Sequence, residues 1–121
     1  MASRPEFQTI VNSIYSFDLG IRYAAFINIK GEILAGGLRG GTKSLDTDET
    51  EKLRLQQIAS GGIARRHWEQ AYGKYAYTLM RFQNLIIVQF AYKDLAVIVS
   101  MTPNVPAQVF DKICDLLNKN S

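Results

Sequence analysis

The sequence contains few of the residues that build catalytic and metal sites. Its 121 residues include one cysteine, Cys114, and one histidine, His67. A single cysteine forms no intramolecular disulfide and gives no sign of an oxidising compartment. A single histidine cannot build a histidine-rich metal site, and as a general base His67 lacks a recognisable nucleophile partner. We therefore expect no enzymatic activity, no metal and no cofactor, with His67 at the surface or at an interface and Cys114 packed on a helix.

Long hydrophobic runs and a strong excess of one charge are also absent. The longest apolar runs, 85–88 and 95–99, are far shorter than the roughly 20 residues that span a bilayer. The first residues lack the apolar stretch of a secretion signal. The formal net charge of +3 is weaker than a dedicated nucleic-acid binder usually carries. These absences predict a cytoplasmic protein without membrane insertion, and nucleic acid is not the expected partner.

The apolar content that is present suits one folded domain. Hydrophobic residues make up 47% of the chain, which is enough for one core in a single domain of residues 1–121. Ser3-Arg4-Pro5-Glu6 has the form of a capping box and predicts a helix over 4–17. Residues 22–29 and 32–36 then predict a hairpin. The glycines that follow, at 36, 37, 40 and 41, predict a flexible loop.

The second half of the chain predicts another helix, a three-stranded meander and a last helix. The second helix begins at the acidic residues near Asp46 and ends at Tyr72, where Gly73 suits a left-handed cap. Short polar separators divide 74–82, 85–91 and 95–101 into three strands. A final amphipathic helix starts near Pro106. The element order is therefore α-β-β-α-β-β-β-α.

The composition of the strands predicts their places in the sheet. The first, fourth and fifth strands are nearly continuous apolar runs, which indicates burial on both faces. The second strand is short and glycine-bearing and the third mixes polar residues throughout, as edge strands do. Hairpin connections then favour the order 2-1-5-4-3. We expect a three-layer α/β (α+β) domain, a five-stranded antiparallel sheet between helices.

This topology resembles the roadblock (dynein light chain) family within the profilin-like folds. Residues 35–41, A-G-G-L-R-G-G, also resemble a stretch in small archaeal proteins, a similarity that brings no activity with it. Roadblock domains form homodimers or heterodimers through the second helix and the third strand. The resemblance implies a non-enzymatic scaffold that homodimerises and binds a protein partner, with a small GTPase as the candidate.

An interface with a second copy is predicted on the third strand and the second helix. The strand is expected to be an unblocked edge that invites pairing with another strand. Small residues on the helix would allow close approach in the same dimer. The predicted interface residues are Tyr75, Tyr77, Leu79, Arg81, Ala59, Gly61, Gly62 and Ile63. The alternative is an edge that loops merely cover.

Basic residues are the candidates for binding another partner. Arg39 and Lys43 make the glycine loop basic, and Arg65 and Arg66 lie on the second helix near Trp68. The alternatives are a mobile loop without a partner and a solvated helix face with Trp68 turned inward.

A ligand sensor or a nucleic-acid-binding regulator is the alternative function. As a sensor, the chain would carry an internal cavity lined by its tyrosines at 15, 23, 72, 75, 77 and 92. As a nucleic-acid binder, it would stack bases on the aromatic residues beside its cations.

Overall fold

The computed structural model describes residues 4–40 and 62–120. These ranges contain three helices and five strands. The helices are α1 (Arg4–Tyr15), α2 (Gly62–Tyr72) and α3 (Gln108–Lys119), and the strands are β1 (Ile21–Ile27), β2 (Ile33–Leu38), β3 (Tyr77–Arg81), β4 (Ile86–Tyr92) and β5 (Leu95–Met101). The predicted order of elements is confirmed. None of the helices in these ranges is long and apolar enough to cross a membrane.

The five strands form one antiparallel sheet with the order β2-β1-β5-β4-β3, as predicted. Helices lie on both sides of the sheet, so the domain is a roadblock-like, profilin-like α+β fold. The three apolar strands β1, β5 and β4 occupy the centre because their side chains are buried on both faces. The glycine-bearing β2 and the more polar β3 are the two edges.

The larger core lies between one face of the sheet and the helices α1 and α3. Its centre is aromatic: Phe7 stacks on Phe26 with ring centroids 4.5 Å apart, and Tyr92 meets Phe26 edge-on at 5.3 Å. The apolar stripe of α3 closes the same core through Val109, Phe110, Ile113 and Leu117. Aromatic pairs of this geometry stabilise a core beyond their buried area.

A second, smaller core covers the opposite face of the sheet. Its buried side chains come from β1, β4 and β5, with Met80 and Leu85 packed against them. The buried members are Tyr23, Ala25, Ile27, Ile87, Ala96 and Ile98. The central strands therefore have no wet side, which is what their continuous apolar runs indicate.

Several boundaries differ from the prediction by one to three residues, and two of these differences have a clear physical cause. The segment 74–76, predicted as strand, precedes β3 because the Tyr75 amide donates to the Glu69 carboxylate at 2.8 Å instead of to a neighbouring strand. In the other case, the predicted loop at Gly36 and Gly37 belongs to β2, which continues to Leu38. Both glycines have positive φ, 92° and 145°, so the strand continues in a conformation that favours glycine.

The second helix agrees with its predicted end. α2 ends at Tyr72, and Gly73 follows with a φ of 92° and donates its amide to the Glu69 carbonyl at 3.0 Å. This is the left-handed cap that glycine favours. The predicted helix start near Asp46 lies outside the described residues.

Candidate interaction surface

The two edges of the sheet are protected differently. At β2, side chains of α1 bond to the strand's backbone. The Gly36 amide donates to the Gln8 Oε1 at 3.2 Å, and the Tyr15 hydroxyl donates to the Gly37 carbonyl. Two polar backbone groups of this edge are therefore already satisfied by α1.

The β3 edge has no such cover within residues 4–40 and 62–120. In these ranges β3 pairs with β4 alone, from Tyr77 opposite Phe90 to Arg81 opposite Ile86. An antiparallel strand bonded on one side directs its remaining backbone groups outward. Among the described residues, the edge that the sequence predicts for pairing is thus the one left without cover, although the strand is shorter than predicted.

Large apolar side chains are exposed on β3 and on the helix that precedes it. Trp68 is 56% exposed and Tyr72 is 84% exposed on α2, while Leu79 and Phe82 are 39% and 54% exposed at β3. The interpretation that Trp68 turns inward is therefore wrong. Trp68 and Tyr72 are four residues apart and share one face of α2. We call these four side chains the α2–β3 surface.

The predicted interface residues of β3 have different surroundings. Leu79 and Arg81 are exposed, and the Arg81 guanidinium donates to the carbonyls of Phe82 and Gln83 in the β3–β4 turn. Tyr77 is half-buried, with its ring 5.6 Å from that of Phe90. Tyr77 packs against the larger core, and its place in the dimer interface stays a prediction.

Tyr75 precedes the strand and is tied to it. Its hydroxyl donates to the carbonyl of Gln89 at 3.1 Å and is also bonded to the Thr78 Oγ1. Tyr75 therefore fixes the path of the chain into β3.

Several predicted site residues have no described side chain. Ala59, Gly61 and Lys43 lie outside the described residues. Gly62 and Ile63 form the start of α2. The side chains of Ile63, Arg65 and Arg66 also lie outside the described part, so their roles stay predictions.

Arg39 is held by the protein itself. Its guanidinium donates to the Leu19 carbonyl at 2.9 Å and to the Tyr15 carbonyl, and it lies over the Tyr15 ring at 5.0 Å from the centroid. These carbonyls lie at the end of α1 and in the turn that follows, where intrahelical donors run out. Burial raises the pKa of the Tyr15 hydroxyl, against the opposing effects of its bond to the Ala24 amide and of the Arg39 charge.

Replacing Arg39 is therefore expected to weaken the fold. Arg39→Ala removes two charge-assisted hydrogen bonds and a cation–π contact, with an expected loss of about 2 kcal/mol because the group is partly screened by water. Arg39→Lys should lose less, since an ammonium still reaches one carbonyl. Urea unfolding measures both, with the exposed Lys112→Ala as the control. An Arg39→Ala protein as stable as the control would show that these hydrogen bonds and the cation–π contact contribute nothing to the free energy of unfolding.

The single histidine and the single cysteine lie on different helices. His67 is exposed on α2. Cys114 is half-buried on α3, and burial raises the pKa of its thiol, which the carboxylates of Asp111 and Asp115 raise further. In the described part of the chain, no three histidine, cysteine or acidic side chains lie together as a metal site.

Aromatic exposure is the feature that sequence reasoning missed. Trp68 and Phe82 were not predicted as interface residues. The signal was present, because 62–72 is a short helix in which charged residues surround the two aromatic side chains. Trp68 is the only apolar residue from Arg65 to Gln70, so this part of the helix lacks the broad apolar stripe of a core-facing helix.

Comparisons with solved structures agree on the fold. "MglB with tetrameric arrangement" matches with a TM-score of 0.67 and 11% identity, covering 100% of this chain and 94% of that one. A Roadblock/LC7 domain from Streptomyces avermitilis matches with a TM-score of 0.66 and 9% identity, over 93% of this chain and 92% of that one. Schizosaccharomyces pombe profilin gives 0.59 and 19% identity over 95% and 98%. The predicted resemblance to roadblock and profilin-like folds is confirmed.

Sequence comparison identifies the family. No curated protein matches the chain. The sequence profile described as "Family of unknown function (DUF6659)" matches residues 6–120. Since this match covers nearly the whole chain, the protein belongs to the DUF6659 family, and the other members are expected to share its roadblock-like fold.

Proposed function

We propose that the protein is a non-enzymatic interaction module that forms a homodimer through β3 and α2 and then binds a protein partner in the cytoplasm. Pairing of two β3 strands would join two sheets into one. The side chains of the α2–β3 surface would be buried in the same contact. Aromatic residues of this kind are enriched in the cores of protein interfaces.

One observation carries the proposal. In the described ranges, the edge of β2 is bonded by side chains of α1, whereas β3 is paired on one side and lies next in the chain to a helix with two exposed aromatic residues. An edge strand that is neither covered nor blocked favours pairing with another chain. The likeness to MglB with a tetrameric arrangement supports self-association of such a fold.

The partner class rests on the resemblance to roadblock domains. That resemblance favours a small GTPase. Lys43, Arg65 and Arg66 are the candidate residues for contacting it, because basic side chains on a surface steer an acidic partner. Arg39 is a weaker candidate than its sequence suggests, since its guanidinium is already bonded to α1 and to the turn after it.

Sedimentation over a range of protein concentrations tests the dimer. We expect the unchanged protein to associate, and Trp68→Glu to weaken association by about tenfold or more, as the loss of a buried aromatic anchor does. Gln70→Glu adds the same charge at another exposed position of α2 and should change little. Circular dichroism checks that each variant is folded.

A second variant tests the strand. Leu79→Lys places a cation on the open edge, a device that natural edge strands use against pairing. It should weaken association like Trp68→Glu. A protein that stays monomeric at every concentration would contradict the proposal, and so would unchanged association in both variants.

The alternative of a small-ligand sensor has one observation in its favour, a cleft beside the start of β3. One of the six tyrosines, Tyr75, lines this cleft, so the expected tyrosine-lined cavity is not what this site offers. Nucleic-acid binding stays a prediction from the basic residues near Trp68.

A further inference from the structure

The hydrogen bonds of the β3–β4 hairpin determine which backbone groups of β3 face away from β4. The Phe82 amide donates to the Leu85 carbonyl at 2.8 Å, so these two residues form a hydrogen-bonded pair of the hairpin. In an antiparallel pair, residues alternate between bonding to the neighbouring strand and directing their N–H and C=O groups to the other side. Counted back from Phe82, the outward groups of β3 belong to Tyr77, Leu79 and Arg81.

The outward set ends on both sides of these three residues. One step earlier in the alternation, the Tyr75 amide already donates to the Glu69 carboxylate at 2.8 Å. One step later, Gln83 lies in the β3–β4 turn, where its carbonyl accepts a bond from the Arg81 guanidinium. Among the described residues, β3 therefore offers a second strand three N–H groups and three carbonyls, centred on Leu79.

We propose that a second copy of the chain pairs antiparallel with β3 in the register that places Leu79 opposite Leu79 of the other copy. This register brings every outward group into a bond, because three residue pairs each exchange two bonds, six in all. Moving the two-fold axis by one residue, to Thr78 or to Met80, leaves two such pairs and four bonds. The register rests on the proposed homodimer and specifies which residues meet in it.

The side chains that meet in this register complement each other. Tyr77, Leu79 and Arg81 share one face of the sheet by alternation, and it is the face of the larger core, against which Tyr77 packs. The register sets Leu79, which is 39% exposed, against its own copy. It also sets the Arg81 of each copy opposite the half-buried Tyr77 ring of the other, which suits a cation–π contact and keeps the two arginine charges apart.

Disulfide formation between two copies measures the register directly. The single cysteine, Cys114, is first replaced by serine, and cysteine is then introduced at one position of β3 at a time. In the proposed register the two Leu79 Cα atoms lie about 5.5 Å apart, a distance that a disulfide spans. Leu79→Cys should therefore form a covalent dimer when the oxidant diamide is added.

Thr78→Cys and Met80→Cys are the matched controls. In the proposed register, Thr78 of one copy lies opposite Met80 of the other at about 4.5 Å, whereas like residues are diagonal neighbours about 7–8 Å apart. Since a disulfide does not form beyond about 7 Å, each variant alone should give at least about tenfold less covalent dimer than Leu79→Cys. An equimolar mixture of the two variants, combined before oxidation, should form the covalent dimer that neither forms alone.

Sedimentation of the reduced variants separates the register from the homodimer itself. Association together with a covalent dimer of Thr78→Cys alone, or of Met80→Cys alone, would overturn the register and leave the homodimer standing. Association without a covalent dimer from Leu79→Cys or from the mixture would do the same. A chain that stays monomeric, as one that pairs β3 with a strand of a different protein would, contradicts both. Should Leu79→Cys weaken association or fail to fold by circular dichroism, the mixture still decides the register.

Discussion

Gly36→Ala is expected to destabilise the protein by about 4 kcal/mol, a large effect for the addition of a single methyl group. The φ of Gly36 is 92°, a conformation that alanine rarely adopts. A Cβ atom at this position would overlap the carbonyl oxygen of Ala24 and lie 2.9 Å from the Cα of Ala25. Both neighbours are backbone atoms of β1, so the clash can be relieved only by disturbing the β1–β2 pairing.

Two glycines of the same segment provide matched controls. Gly37 has a φ of 145° but open space where a Cβ would be, so Gly37→Ala should cost only its conformational strain, about 1–2 kcal/mol. Gly40 has neither a positive φ nor a neighbour within 4 Å, and Gly40→Ala should be nearly neutral. Urea unfolding followed by far-UV circular dichroism measures all three. Equal stability of the Gly36 and Gly40 variants would refute the close-approach argument.

These glycines change how the A-G-G-L-R-G-G segment is understood. Sequence reasoning assigned it to a flexible, partner-binding loop. In the structure, Gly36 lets β2 approach β1, and Arg39 ties the strand's end to the Leu19 and Tyr15 carbonyls. Backbone packing therefore explains Gly36, and hydrogen bonds to backbone carbonyls explain Arg39.

The fold could be predicted because its information is local. The apolar runs at 86–88 and 95–99 lie in β4 and β5, and such runs indicate a strand that is buried on both faces. Short separators then fix which strands are neighbours, since hairpins join strands that are close in sequence. Together these two signals predicted the sheet order without any knowledge of long-range contacts.

The candidate site could be predicted less well because its residues depend on distant partners. Arg39 bonds to a carbonyl that lies 24 residues earlier in the chain, and no local pattern marks a backbone carbonyl as its partner. Trp68 looks like a core residue by its type alone, and its 56% exposure depends on which side of α2 faces the sheet. Sequence alone thus predicted the sheet edge at β3 but not the large side chains that are exposed beside it.

Tyr77 also has packing partners that its local sequence does not reveal. It gives the second large expected effect. Alternation along the predicted strand put Tyr77 on the interface with Leu79. Cross-strand neighbours share a face of the sheet, and Tyr77 lies opposite Phe90, a residue of the larger core. The ring of Tyr77 is also 5.9 Å from that of Phe110 on α3, so β3 contributes one aromatic side chain to the core at its first residue.

Tyr77→Ala is therefore expected to lower the free energy of unfolding by about 3 kcal/mol, because it removes a packed ring from between two others. Tyr77→Phe keeps the ring and should cost less than about 1 kcal/mol. Tyr72→Ala makes the same truncation at a tyrosine that is 84% exposed and should leave the monomer as stable as before. Urea unfolding at high dilution separates these effects on the monomer from any effect on association.

This result would decide how association data for β3 are interpreted. If Tyr77→Ala destabilises the monomer as expected, any loss of self-association in that variant follows from partial unfolding and says nothing about the edge. Substitutions at Leu79 and Trp68 then carry the test of the dimer, because their side chains extend into solvent in the single chain. A Tyr77→Ala protein with unchanged stability would contradict the packing of Tyr77 against Phe90 and Phe110. It would favour the prediction from strand alternation, in which Tyr77 is an exposed interface residue.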